Sequence, residues 1–271
     1  MLRFAANLSM LWREASFVDR FKRAADAGFG AVEFLWPRGE DLDKVVWAKE
    51  AAGVQVVLHN MDAGDMAAGD RGYANDPSRR EEWCAAFLKA LDLTKRLGCP
   101  RLNCLVGNDL GTIPKEAQLD CLRENLAWAI PKAADARVSL MLEALNAWEN
   151  PRYLFKRTAE ILAFMERLGS PWVKYQYDIY HMQRMEGNLI LTIKTNVHQI
   201  GHVQIADPPK RHQPGTGEVA WRRVLAALEE AGYDGHIGLE YIPLGSTDDS
   251  LAWLPRERRK ASTAADLILP Y

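Results

Sequence analysis

At 271 residues the chain is long enough to bury about three quarters of the surface its unfolded form exposes, a length at which barrel enzymes are commonly single domains. A hydrophobic share of 48% and a charged share of 26% are ordinary for a water-borne globular protein, and the absence of any apolar run of about 18 residues excludes a membrane-spanning helix. A net charge of −2 gives no electrostatic footprint for nucleic acid or an anionic membrane.

Strand-like and helix-like stretches alternate along the whole chain. Arg3–Ser9 reads as a strand and Ser16–Gly28 as an amphipathic helix, with Ser16 placed to cap its start and Gly28 to end it. Ala31–Trp36 is the second strand and Asp41–Gly53 the second helix. Val54–Asn60 is the third strand, and a Gly- and Asp-rich loop, Met61–Pro77, separates it from the helix Ser78–Gly98. The fourth pair is Arg101–Gly107 with a helix from Lys115 to Ala134, whose end Pro131 should kink or shorten. The fifth is Ser139–Leu145 with Tyr153–Gly169, and the sixth is Val173–Tyr180 with Asn188–Gln199. His202–Asp207 with Ala220–Gly232, then Gly235–Ile242 with a short helix near Asp248–Leu254, complete the series. The tail beyond Pro255 is charged, then apolar, and either packs beneath the sheet or is loosely ordered.

Eight strand–helix units in succession predict a parallel sheet. A closed (β/α)8 TIM barrel fits this length better than an open dinucleotide-binding sheet, because no GxGxxG follows the first strand. No shift of composition divides the chain, so one domain spanning 1–271 is expected. The N-terminal MLRFAANLSML meets Arg13 and Glu14 too soon for a signal peptide. Cys84, Cys99, Cys104 and Cys121 show no CxxC spacing and read as reduced core residues of a cytosolic protein.

In such barrels the site lies at the C-terminal ends of the strands. The fifth to eighth predicted strands end in polar side chains: Glu143, Asp178, Gln204 and Glu240. One acidic residue at a strand end is usually a helix cap or a surface charge, whereas four polar tips in consecutive strands favour a shared role. Three carboxylates in one mouth repel one another unless a bound cation or an Arg or Lys separates them. The neutral amide oxygen of Gln204 favours the cation, and an oxygen-only set points to Mg2+ or Mn2+ rather than Zn2+. His198, His212 and His236 read as surface or loop residues and His202 as structural. His59 ends the third strand and His181 follows Asp178 by three residues; for each, a place in the mouth and a satisfied core position are the two readings. Arg211, ahead of the turn-rich PGTGE of Pro214–Glu218, is placed to reach an anionic substrate, and Arg71 in the third loop has the same status; a lone loop arginine is otherwise solvated.

The segments RFAANLSML, LHN ending at Asn60, AAGDRG in the third loop, NCLVG over Asn103–Gly107, QYDIYHMQRMEG ending at Gly187, GHVQIAD and PGTGE together resemble the hydroxypyruvate isomerase family, a branch of the xylose-isomerase-like barrels. The similarity runs nearly end to end. It implies one divalent ion held by Glu143, Asp178, Gln204 and Glu240, with Glu143 and Glu240 also exchanging protons with substrate. By the same resemblance His59, His181 and Arg211 hold substrate oxygens, and Glu149 is a weaker match of that kind. The implied partner is a small 2-keto acid or sugar acid, and the implied reaction interconverts hydroxypyruvate and tartronate semialdehyde.

Two departures matter. The final strand reads EYIP where the family usually has EYKP, so Ile242 stands in place of a lysine. The fifth reads EALN where EPIN is usual, and EAL is similar to the 2-oxo-tetronate isomerases, the leading alternative. A sugar-acid-binding barrel without catalysis is more distant. A three-zinc endonuclease would need many more histidine ligands than His59 and His181 and a basic DNA face. The oligomeric state is left open.

Overall fold

A computed structural model describes residues 1–269. The eight expected strands form in order: β1 (Phe4–Asn7), β2 (Ala31–Phe34), β3 (Gln55–Asn60), β4 (Arg101–Asn103), β5 (Ser139–Glu143), β6 (Val173–Asp178), β7 (Ile200–Gln204) and β8 (Ile237–Leu239). Each pairs in parallel with the next, and β8 pairs with β1, so the sheet closes into a barrel. The connecting helices are α1 (Asp19–Asp26), α2 (Leu42–Ala52), α3 (Arg80–Leu97), α4 (Lys115–Asp135), α5 (Thr158–Leu168), α6 (Ile179–Met185), α7 (Leu189–Asn196), α8 (Trp221–Glu230) and α9 (Thr247–Ser250). Among the described residues no helix is long and apolar enough to cross a membrane.

Local chemistry explains the elements. The Asp41 side chain accepts the Asp43 and Lys44 amides at the start of α2, and Gly53 ends it in the left-handed region at φ 65°. Pro131 lies inside α4 and does not shorten it, since the helix continues to Asp135. The sixth unit carries one more helix than expected, because α6 starts directly from the tip of β6. The tail packs against the start of the barrel: Leu2 and Ser262 exchange backbone hydrogen bonds of 2.7 and 2.9 Å, and Leu267 and Leu269 are buried. The four cysteines are unpaired, and Cys99, Cys104 and Cys121 are buried.

Side chains alternate along a strand between the barrel interior and the helix layer. Phe34, Tyr175 and Tyr177 belong to the large core between strands and helices, whereas Ala5, Ala31 and Val57 form a small separate cluster. Above that cluster the interior is polar, with Asn7, Glu33, Asn103, Gln176, His202 and Gln204 all buried. A bulge interrupts β3: Val32 pairs with Val56 but Glu33 pairs with Leu58, so Val57 is an extra residue. Beyond it His59 sits beside Phe34 and Leu102, while Asn60 sits beside Asn103.

Candidate active site

The base of the site is a chain of buried hydrogen bonds. Glu33, in mid-strand on β2, accepts from Asn7 Nδ2 at 2.9 Å and Gln204 Nε2 at 2.8 Å on one oxygen, and from His202 Nε2 at 2.6 Å on the other. Gln204 Oε1 in turn accepts from Gln176 Nε2 at 2.6 Å, and the same Gln176 nitrogen donates to Glu143 Oε2 at 3.0 Å. Asn103 Nδ2 donates to that Glu143 oxygen at 2.9 Å. With its amide nitrogen held by Glu33, Gln204 presents its oxygen to Gln176, which links it to Glu143. Gly238 makes this possible, since a Cβ there would collide with the Glu33 carboxylate.

Asp178 closes β6 and caps α6. Its Oδ1 accepts the amides of Tyr180 at 2.7 Å and His181 at 3.4 Å, while its Oδ2 is buried without a hydrogen-bond partner. His181 Nε2 lies 3.5 Å from that free oxygen and Arg211 Nη2 lies 3.6 Å from it. The Nδ1 of His181 faces two donors, the Asn146 backbone N–H at 3.3 Å and the Asn146 side-chain amide at 2.7 Å. A ring nitrogen receiving an amide N–H is an acceptor, so the proton of the neutral ring sits on Nε2, towards the mouth. Burial, then repulsion by Arg211 and Arg184, holds the His181 pKa well below the usual imidazole value, so the ring stays a neutral donor.

Arg211 approaches from the loop after β7. It adopts φ 62°, a left-handed conformation costing about 1–2 kcal/mol outside glycine. The loop is organised by Asp207, whose carboxylate accepts the amides of Gly215 at 2.9 Å, Gly217 at 2.8 Å and Val219 at 3.2 Å. Arg211 Nη2 then donates to Glu240 Oε2 at 2.8 Å, and its guanidinium lies 5.0 Å from the Tyr180 ring. Tyr180 hydroxyl and Arg184 both bond Glu149, the latter at 2.6 Å.

The carboxylates carry the electrostatic tension of the site. Burial pushes Glu143 well above the ordinary carboxylate range, and repulsion by Glu240 and Asp178 adds to it. Burial raises Glu240 to about 8 against the opposing pull of Arg211. It also raises Asp178, against Arg211 and the two capping amides. Burial pushes Glu149 the same way, but its bonds to Tyr180 and Asn146 and the charges of Arg211 and Arg184 outweigh it and lower the pKa. Glu143, Glu149, Glu240, His181, Arg211 and Arg71 line one cavity of about 290 Å3 at the strand ends. Asp178 and Gln204 are buried beside it. Glu143, Asp178 and His181 each offer a ligand atom within 4.8 Å of the others.

His59 is the exception among the residues singled out from sequence. The bulge at Val57 turns it to the helix layer, where Nε2 meets Thr94 Oγ1 of α3 at 2.8 Å and the ring stacks on Phe34. Burial lowers its pKa to about 4. Its neighbour Asn60 takes the place in the cavity wall that the sequence offered to His59. Glu33, Gln176 and Asn103 escape a reading based on strand tips because they lie inside predicted strands.

A sequence profile of the xylose isomerase-like TIM barrel matches residues 21–257. Hydroxypyruvate isomerase of Escherichia coli is 39% identical over 254 residues, 94% of this chain and 98% of that one. The chain belongs to the xylose isomerase-like TIM barrel family. A second member of these barrels, the 2-oxo-tetronate isomerase of Cupriavidus necator, is 37% identical over 258 residues, with 94% and 98% covered. A crystal structure of a family 2 AP endonuclease from Brucella melitensis superposes with a TM-score of 0.90 at 38% identity, covering 93% of this chain and 98% of that one. Within this xylose isomerase-like barrel, Ile242, the departure from EYKP, is exposed and does not line the cavity.

Proposed function

We propose that this barrel interconverts hydroxypyruvate and tartronate semialdehyde by proton transfer through an enediolate. The observation that carries the reading is the shared cavity: Glu143 and Glu240 open onto it from β5 and from the residue after β8, beside a buried Asp178 oxygen that has no hydrogen-bond partner. A buried carboxylate oxygen without a hydrogen bond is costly, and Arg211, which it shares with Glu240, offsets that cost only in part, so a bound cation would stabilise it further. A divalent ion here would be held by Glu143, Asp178, Gln204 and Glu240, as Mg2+ or Mn2+ given oxygen-only ligands. The supporting geometry is that Glu143 and Asp178 offer ligand atoms within 4.8 Å of each other and of His181. When bound, such an ion supplies Lewis-acid polarisation of substrate oxygens. His181 is assigned to substrate rather than to the ion, because its Nε2 carries the proton.

One glutamate takes the weakly acidic C–H proton and the same or the other returns it to the neighbouring carbon, while the hydroxyl proton passes to the former carbonyl oxygen, which becomes the new hydroxyl. Neutral His181 donates Nε2–H to a substrate oxygen, and Arg211 holds charge beside Glu240. The support from relatives is the naming of the Escherichia coli and Cupriavidus necator proteins as isomerases at 39% and 37% identity. A 2-oxo-tetronate isomerase is the second reading, favoured by EALN at Glu143–Asn146. The endonuclease name of the Brucella melitensis protein is not favoured here, since His181 is the one histidine among the described residues that lines the cavity.

The test is a panel of short 2-oxo acids given to chelated protein with Mg2+, Mn2+ or Zn2+ added back. Hydroxypyruvate should turn over with Mg2+ or Mn2+ better than with Zn2+, and C–H deuterium should be partly lost to solvent. Full activity without metal, or complete retention of label, overturns the reading, and faster turnover of 2-oxo-tetronate selects the alternative.

A further inference from the structure

The cavity holds a second arginine whose charge no carboxylate among the described residues neutralises. Arg71, from the long loop after β3, is fixed by three hydrogen bonds: Nε to Asn150 Oδ1 at 2.7 Å, and Nη1 to the backbone oxygens of Asp70 at 2.7 Å and Met66 at 3.1 Å. All three acceptors are neutral. The nearby acids are engaged elsewhere: Asp70 pairs with Arg79 at 3.1 Å, Glu149 with Arg184 at 2.6 Å and Glu240 with Arg211 at 2.8 Å. Among the described residues no carboxylate pairs with Arg71, and its Nη2 makes no hydrogen bond.

Surface arginines usually have such freedom, but Arg71 is half-buried and lines the same cavity as Glu143 and Glu240. It also lines a contiguous cavity of about 360 Å3, which shares Glu149 and Asn150 with the first. A guanidinium held by neutral oxygens at Nε and Nη1 keeps its full charge and leaves both N–H bonds of Nη2 for a ligand. Two such donors carrying an unneutralised charge suit a carboxylate.

Arg211 cannot take this part, because Glu240 and Asp178 already share its charge. Ile242, where the family usually has a lysine, has no charge and points to solvent. We propose that Arg71 is the carboxylate anchor: it binds the terminal carboxylate of a short 2-oxo acid and orients the adjacent carbons towards Glu143 and Glu240. This rests on the isomerase reading for the identity of the substrate, and it makes the carboxylate, rather than the sugar hydroxyls, the feature that selects it. Substrates in which an alcohol or amide replaces the carboxylate lose the contact.

The experiment measures, by calorimetry with Mg2+ present, the affinity of the wild-type protein for glycerate and for its neutral amide, glyceramide. Neither probe can undergo the isomerisation, so binding is read without turnover. Wild type should prefer glycerate. Arg71→Gln, which keeps a hydrogen-bonding group near Asn150 without the charge, should weaken glycerate about 10- to 100-fold, the size of a lost hydrogen bond to an ionised group, and leave glyceramide unchanged. Arg71→Lys should recover part of the preference, which a purely structural role of the loop would not produce. No preference in wild type, or one that survives Arg71→Gln, overturns the anchor; a Gln variant that weakens both probes alike overturns it too. Should the Gln variant not fold, the Lys variant decides: a reduced glycerate preference supports the anchor, and one equal to that of wild type overturns it, since a shorter side chain with a differently placed charge cannot keep the same contact. Hydroxypyruvate turnover by wild type is scored separately, so failure of the reaction and failure of the anchor are told apart.

Discussion

Asp178 divides its carboxylate between two tasks, one oxygen closing the first turn of α6 and the other facing the mouth. Glu240 has no such structural duty, which makes it the better probe of chemistry. Glu240→Gln retains an oxygen able to meet a cation and removes the group able to carry a proton. Metal affinity should persist while kcat falls by about 100-fold or more, the usual effect of losing a general acid or base; metal titration alongside single-turnover kinetics checks it. The two histidines should separate in the opposite sense. His59→Ala is expected to destabilise the fold by about 2–4 kcal/mol through the cavity left between Phe34 and Thr94, with kcat/KM per folded molecule unchanged. His181→Ala, at a ring that is also buried, should cost stability too but, unlike His59→Ala, should lower kcat/KM per folded molecule. Denaturant melts and steady-state rates on both variants distinguish these outcomes. At this scale Glu143, Asp178, Gln204 and Glu240 were legible because each stands at a strand end, where a polar side chain has no core to satisfy. His59 was not, because a single extra residue at Val57 reverses the face of everything after it, and no residue type in VQVVLHN marks the bulge.

Among the elements, the loop after β7 carries the most function for its length. Asp207 gathers three backbone amides, and Gly217 passes so close to Pro208 that a side chain there would strike its carbonyl oxygen. PGTGE is therefore the buttress that lets Arg211 hold a left-handed backbone over the site. Asp207→Ala should cost about 1.5–3 kcal/mol, typical of losing hydrogen bonds to a charged group. It should also raise KM, as Arg211→Ala should, because each takes the guanidinium away from the cavity wall, and a thermal melt paired with kinetics on both variants checks this. Alternation of strands and helices was visible from sequence because βα units repeat two distinct hydrophobic periods. The short α6 was hidden, since Asp178 both ends a strand and caps a helix without an intervening turn. Of the two effects expected of Pro131, shortening is not seen, as α4 packs against α3 and β5 and runs on to Asp135.

For the molecule as a whole, three carboxyls raised by burial make stability depend on pH and on cations together. In metal-free protein the folded state holds protons on Glu143, Asp178 and Glu240 that the unfolded chain releases near the ordinary values of 4.5 for the glutamates and 3.8 for the aspartate. The folded state then binds more protons than the unfolded one, so stability falls as pH rises. For Glu240 the fall should run from about 4.5 to about 8. Calorimetric Tm of chelated protein should therefore decline across that window, and added Mg2+ or Mn2+ should restore it most at the alkaline end. A Tm that rises with pH in chelated protein would contradict the burial of these groups. A last consequence comes from Gly238, which does not line the mouth yet leaves the gap through which Glu33 reaches from β2 to His202 and Gln204 on β7. That carboxylate is a strut spanning the lumen, bracing two walls of the barrel against each other. Gly238→Ala would push the strut aside, and the barrel should lose cation affinity although every cavity-lining residue remains in place. Mouth loops can then be exchanged to suit other substrates, while the strut and its gap must be inherited together.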